Sequence, residues 1–279
     1  MKLFGDKKRN ESKRLPAFTG RFYPAGPAEL ENNIESHLSG FSGDKRRAIG
    51  VVSPHAGFMY SGDVAGAVYS QIEIPETVIL IGPNHTGRGE NVSIITEGVW
   101  SMPMGDIHID EDLARILCEE TPDVKPDPIA HQMEHSLETQ LPFLQYFKKD
   151  FQIVPICLKR VDFSTCERLS HAIVKAIERF GRPVLIVASS DMTHFESHSE
   201  AGEKDKKAIA RIETLDAFGL HETVQREKIS MCGVNPVTVM LLCSKKMGAK
   251  QAELVKYMTS GEVSGDMNQV VGYAGVIVA

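Results

Sequence analysis

Short apolar runs rich in Val and Ile alternate along the chain with stretches in which apolar residues recur every three or four positions. The runs at 49–54, 77–82, 91–96, 151–158, 183–189, 252–259 and 270–279 are bounded by Gly, Pro or charge, as strands are. Between them the helical period predicts helices over 63–72, 110–120, 129–147, 163–180, about 199–227 with a break, and 236–247. In the fourth of these, Leu169, Ile173, Val174, Ile177 and Phe180 share one face. Pro75, Pro126, Pro183 and Pro236 punctuate the alternation, and Asn235-Pro236 reads as a cap followed by the first helical residue.

Uninterrupted apolar strands flanked by helices need cover on both faces. The expected fold is therefore α/β, a single layered domain with a central mixed, largely parallel sheet between helices. The run VVGYAGVIVA is expected inside that sheet. No repeat or Gly/Ser linker divides residues 1–279, so one domain is expected, with residues 1–14 as a flexible tail.

Hydrophobic residues make up 42% and charged residues 24%, an ordinary globular balance. No apolar run reaches the roughly 20 residues of a membrane span, and the basic N-terminus lacks the apolar core of a secretory signal. A net charge of −6 without a long basic stripe argues against nucleic acid. Five cysteines without a C-x-x-C pair fit a reduced, cytoplasmic protein in which any important thiol acts alone.

In open α/β sheets, sites form beyond the carboxyl ends of strands. His55 follows the run 49–54, His85 follows 77–82, and Asp191 and His194 follow 183–189. Three strand ends thus deliver imidazole or carboxylate to one edge. Cys232, just before the expected Asn235 cap, stands near a helix N-terminus, where the dipole favours thiolate. Two imidazoles and a thiolate suit zinc, copper or iron with an open position. Cys118, Cys157, Cys166 and Cys243 lie within strand or helix patterns and are expected as packing.

Two other motifs compete. His131-Gln132-Met133-Glu134-His135 matches the H-x-x-E-H pattern of a metalloprotease class. Its bland rival places both histidines on one helix face, with His135 reaching the strand-end site as a proton carrier. The glycine-rich MYSGDVAGAV opens a helix with Ser61 or Gly62 as expected cap, but lacks the lysine of a phosphate loop. Trp100 and Tyr60 could line a pocket, though core is the ordinary place for such rings.

The blocks PAFTGRFYPAGP (16–27), SPHAGFMYSG (53–62), GPNHTG (82–87), EHSLETQLPFLQ (134–145), SSDMTHF (189–195) and MCGVNPV (231–237) together resemble the Memo family. The resemblance runs from about residue 14 to 279. It implies a fold similar to the LigB-like class III extradiol dioxygenases. It implies metal-site residues at His55, His85 and Cys232, with Asp191 and His194 completing the pocket. The dioxygenases use a carboxylate as third ligand; Cys232 in its place weighs against ring cleavage, because a thiolate changes the charge, softness and oxidation risk of the centre. The resemblance further implies an AMMECR-domain protein and a radical-SAM enzyme as partners. The function expected is a metal-dependent redox enzyme using iron(II) or copper, with zinc as a further candidate and His194, Asp191 and His135 as catalytic groups. The alternatives are a binding module for a small molecule, peptide or protein that keeps the pocket without turnover, and a metal-dependent hydrolase.

Overall fold

The computed structural model describes residues 12–38, 40 and 43–279. Along the chain, β1 (Lys13–Arg14) and α1 (Pro27–Ser36) precede β2 (Gly50–Ser53), α2 (Phe58–Tyr69) and β3 (Thr77–Pro83). Then come β4 (Val92–Ile94), β5 (Val99–Met102), β6 (Gly105–Ile109), α3 (Glu111–Glu120) and β7 (Lys125–Pro126). A turn region leads to α4 (Leu141–Phe147), β8 (Gln152–Leu158), α5 (Phe163–Phe180), β9 (Val184–Ser189) and β10 (His194–Glu196). The chain continues through α6 (His198–Glu213), α7 (Ala217–Arg226), α8 (Val234–Lys246), β11 (Ala252–Thr259), α9 (Gly261–Ser264) and β12 (Val270–Val278).

The sheet runs β1-β5-β6-β8-β3-β9-β2-β12-β10, with β11 also on β12 and β4 on β8. Its centre, β6-β8-β3-β9-β2, is parallel throughout. The strands β10, β11 and β2 all pair antiparallel to β12, which therefore lies inside the sheet as its apolar run requires. Val51, Val52, Val78, Ile79, Leu80, Ile81, Leu185, Ile186 and Val187 are fully buried. Their continuous apolar character follows from cover on both faces: α3, α5 and α8 pack together on one side, α1, α2 and α4 on the other. Burying one such side chain contributes about 1.5–3 kcal/mol.

Several boundaries differ from the expectations for identifiable reasons. The helix α2 starts at Phe58 with Gly57 as its N-cap, not at Ser61 or Gly62; Ser61 Oγ instead donates to Ala56 O at 3.0 Å. Likewise Gly233, not Asn235, caps α8, and the Asn235 amide is spent on Val161 O and Cys166 Sγ. The expected break within 199–227 falls at Thr214–Asp216, where Leu215 takes a left-handed φ of 54° and Asp216 accepts from Gly219 N to start α7. The expected tail 1–14 lies mostly outside the described residues, but Lys13 and Arg14 pair with Val99 and Trp100 in the sheet. The Arg14 side chain is largely covered there because its guanidinium finds the Glu138 carboxylate at 2.7 Å and stacks 4.1 Å over Trp100.

The expected helix over 129–147 forms only over its last seven residues, as α4. A 3-10 turn at Ile129–His131, an irregular loop and a second turn at Glu138–Gln140 lead into α4. Side chains compete with the helical backbone in this segment. Glu134 Oε1 accepts from Ser136 N at 2.9 Å, and Ser136 Oγ donates to Pro83 O at 3.0 Å. The loop packs onto the end of β3 so closely that a Cβ on Gly82 would meet Ser136 Oγ at 2.5 Å. This close approach carries residues 131–140 across the carboxyl edge of the sheet.

Candidate metal centre

In the sheet β9 lies between β2 and β3, so the three strand ends that carry candidate chemistry are immediate neighbours. His55, His85 and Asp191 each follow the last residue of their strand by two positions. Ligand nitrogens of His55, His85 and His135 lie within 4.8 Å of one another, close enough to share a metal ion. The His85 and His135 rings stack at 4.5 Å, and His55 stands edge-on to both at 5.1 and 5.3 Å. Cys232, from the connection between α7 and α8, places Sγ 3.2 Å from His55 Nε2. The thiol thus reaches the expected neighbour, while the tight imidazole group contains His135 rather than Cys232.

The hydrogen bonds fix which nitrogen each ring presents. Ser189 Oγ donates to Ser136 O at 2.7 Å, so toward His55 Nδ1, also at 2.7 Å, it can only accept. His55 therefore carries its proton on Nδ1 and offers the Nε2 lone pair to the centre. For His85 the partner is Glu134, whose Oε1 lies 2.8 Å from Nδ1 and whose Oε2 accepts from His85 N at 2.6 Å. Burial alone would raise the Glu134 pKa, but hydrogen bonding and charge from His85 hold it at about 2. An ionised carboxylate only accepts, so His85 carries a proton on Nδ1 and leaves Nε2 as the nitrogen it can offer to an ion. Carboxylate–imidazole pairs of this kind orient metal-binding histidines in general. His135 sits with Nδ1 3.5 Å from the same Glu134 oxygen, against the paired rings of Phe18 and Phe22 at 5.2 and 5.0 Å.

The electrostatics favour neutral imidazoles. Burial, reinforced by the neighbouring His85, pushes His55 well below its ordinary 6.5, and burial with His55 beside it lowers His135 to about 4. Neutral rings are what a cation needs. Cys232 departs from the expectation of a lowered thiol pKa. Burial and the Asp191 carboxylate raise it, outweighing the N-terminal end of α8. The thiol can donate to His55 Nε2 at 3.2 Å or to Asp191 O at 3.6 Å, and a cation bound between Nε2 and Sγ would displace its proton. Three imidazoles with bare or unencumbered nitrogens and one displaceable thiol proton are a donor set that fits a borderline or soft transition metal.

Asp191 is buried beside this group, its Oδ1 accepting from His55 N at 2.8 Å and its Oδ2 3.9 Å from His55 Nε2. Burial raises its pKa against that hydrogen bond. His194 opens β10, partly exposed, and its Nδ1 donates to Ser230 O at 3.0 Å.

The metalloprotease arrangement of His131 and His135 is not formed. His131 is fully buried away from the centre, Nε2 toward Ser93 O and Nδ1 3.4 Å from Cys157 Sγ. Trp100 is core, 1% exposed. Sequence reasoning missed Ser189 and Glu138, and met Glu134 only within the metalloprotease pattern, not as the partner of His85. Glu138 accepts from Arg14, Ala17 N, Phe18 N and Tyr23 OH, and so fastens the Phe18 segment against the site. Among the described residues no helix is long and apolar enough to cross a membrane.

The architecture resembles that of an uncharacterized protein from Escherichia coli K12 with a TM-score of 0.53 at 13% identity, covering 83% of this chain and 100% of that one, a likeness of fold alone. A MEMO1 family protein of Methanopyrus kandleri is 44% identical over 95% of this chain and 98% of its own. Another, of Methanosarcina barkeri, is 46% identical over 95% of this chain and 99% of its own. The family profile described as Memo-like protein matches residues 14–277, and the chain belongs to that family.

Proposed function

We propose that the chain is a metal-dependent redox enzyme whose centre draws on His55, His85, His135 and Cys232 and takes iron(II) or copper, with zinc as the redox-silent competitor. The observation that carries this reading is the double lock on tautomers: Ser189 and Glu134 hold the Nδ1 protons of His55 and His85, leaving both Nε2 lone pairs for a shared ion. When bound, such an ion supplies electron transfer to or from a substrate beside it. The chain's own groups position and exchange protons. His194 carries its proton on Nδ1, against Ser230 O, so its Nε2 can take up a proton at the partly exposed edge of the site. Asp191 holds the His55 backbone and supplies a second, buried proton acceptor.

A second reading, a binding module without turnover, is favoured by one observation: among the described residues no carboxylate belongs to the imidazole group, where the resemblance to the dioxygenases would imply one. Metal analysis of protein purified without chelator separates these readings from the absence of any centre. Wild type should hold roughly one equivalent of iron or copper per chain, with loss in His85→Ala and in Cys232→Ser. Negligible metal in wild type, or content unchanged in both variants, defeats the metal centre. If metal is held but no small substrate turns over faster than with free metal, the binding module stands.

A further inference from the structure

We propose that the cavity beside the centre receives a small apolar molecule bearing one oxyanion group, a carboxylate or a phosphate, held by Arg160 with Lys159. The inference deepens the reading above by naming the class of molecule that the same site admits. The cavity measures about 310 Å³, at the small end for ligand sites. Both His85 and Cys232 line it, so whatever fills it lies against the centre. Lys159 and Arg160, directly after β8, are its charged lining, and no Asp or Glu joins them among the described residues. The remaining lining includes the buried apolar Leu158, Met231 and Val234.

Arg160 is one of three arginines among the described residues without a carboxylate partner, with Arg21 and Arg88; Arg115 by contrast pairs with Asp112 and Glu119, and Arg179 with Glu119 and Glu120. Neither Lys159 nor Arg160 has an ion-pair partner among the described residues; Lys159 Nζ donates once, to Gly89 O at 2.6 Å, and keeps two protons for a ligand. The chain as a whole is acidic, at −6, so this local positive charge is not a general property of its surface. A planar guanidinium matches the two oxygens of a carboxylate or phosphate; Arg160 is exposed and Lys159 half-buried, so both heads are open to a ligand arriving from solvent. An oxyanion on Arg160 would leave the body of the molecule among Met231 and Val234 and its far end toward His85 and Cys232.

The test compares benzoate, phenyl phosphate and the neutral benzamide by calorimetric titration of the full chain, chelator-treated and zinc-loaded, in wild type, Arg160→Gln and Lys159→Gln. In the metal-free wild type, at least one anion should bind roughly tenfold or more tighter than benzamide, and Arg160→Gln should remove that preference. Which anion binds tighter identifies the carboxylate or phosphate source. Equal binding of anions and amide, no binding of either anion, or anion binding indifferent to Arg160→Gln overturns the proposal. Anion binding that appears only with zinc also overturns it, because the ion would then be the receptor. Zinc uptake, followed separately by chelator competition, reports on the metal centre: its failure with anion selectivity intact removes the redox reading and leaves this one.

Discussion

Glu134→Gln keeps the shape of a buried side chain and removes its charge. The carboxylate now accepts from His85 N at 2.6 Å on one oxygen, and from His85 Nδ1 at 2.8 Å and Ser136 N at 2.9 Å on the other. A glutamine has one accepting oxygen; its amide nitrogen must face either the His85 main chain or the His85 ring, donor against donor. One charge-assisted hydrogen bond is lost, worth about 1.5–3 kcal/mol. If that stabilisation orients His85 for a cation, the loss reappears as metal affinity weakened by roughly 10–100-fold. Zinc titration against a chromophoric chelator at neutral pH measures it, with circular dichroism confirming the fold. A folded variant whose zinc affinity stays within about threefold of wild type would refute the claim that Glu134 orients the centre.

Other expectations follow from the surroundings of the site. Glu138→Gln strips Arg14 of its buried partner and should cost about 3–5 kcal/mol in denaturant unfolding, with faster hydrogen exchange at Ala17 and Phe18; a cost below about 1 kcal/mol contradicts the buried pair. Burial, with the Arg14 charge nearby, lowers His131 to about 4 in the folded chain against about 6.5 unfolded. The unfolded chain therefore takes up the proton first, and stability should fall as pH drops from about 6.5 to 4, by about 3 kcal/mol from this group. His131→Gln should flatten that part of the profile; an unchanged slope contradicts the assignment. A Cβ on Gly233 would meet Ser189 O and Ser190 Cβ, both at 2.4 Å. Gly233→Ala should accordingly cost about 1–3 kcal/mol and displace Cys232, read as a lower unfolding midpoint together with weaker zinc binding.

The parallel strands β2, β3, β8 and β9 were legible because burial on both faces leaves an unbroken apolar run, and the histidines after β2 and β3 because each run stops abruptly. The rule that sites gather at strand ends pointed to His55, His85 and Asp191, which lie side by side in the fold. What the sequence hid was long-range. The hairpin β5-β6 escaped because its turn is built on Met102–Gly105 with a left-handed glycine, φ 124°, and its strands alternate weakly. The helix α1 escaped because only Leu30 and Ile34 are buried in it. Residues 129–147 carried helical spacing, yet Glu134, Ser136 and Glu138 direct their side chains to partners more than 40 positions away or to their own backbone. Those partners cannot be inferred from local period. The same contacts moved His135 from an expected helix face into the cluster, and made Glu134 and Ser189 the groups that set its tautomers.

The position of β12 also constrains how this centre comes into being. Val52, in the strand that leads to His55, pairs with Val276, a contact between distant parts of the chain that pays its loop-closure entropy late. Until β12 arrives, the edge of β2 on that side has unpaired backbone groups and is open to another chain. During synthesis the His55–Ser189 pair and the Glu134 loop can assemble on β2, β9 and β3 well before the sheet is sealed. A metal-binding face could thus exist on a partly built sheet, with its most aggregation-prone edge protected only once the last strand docks.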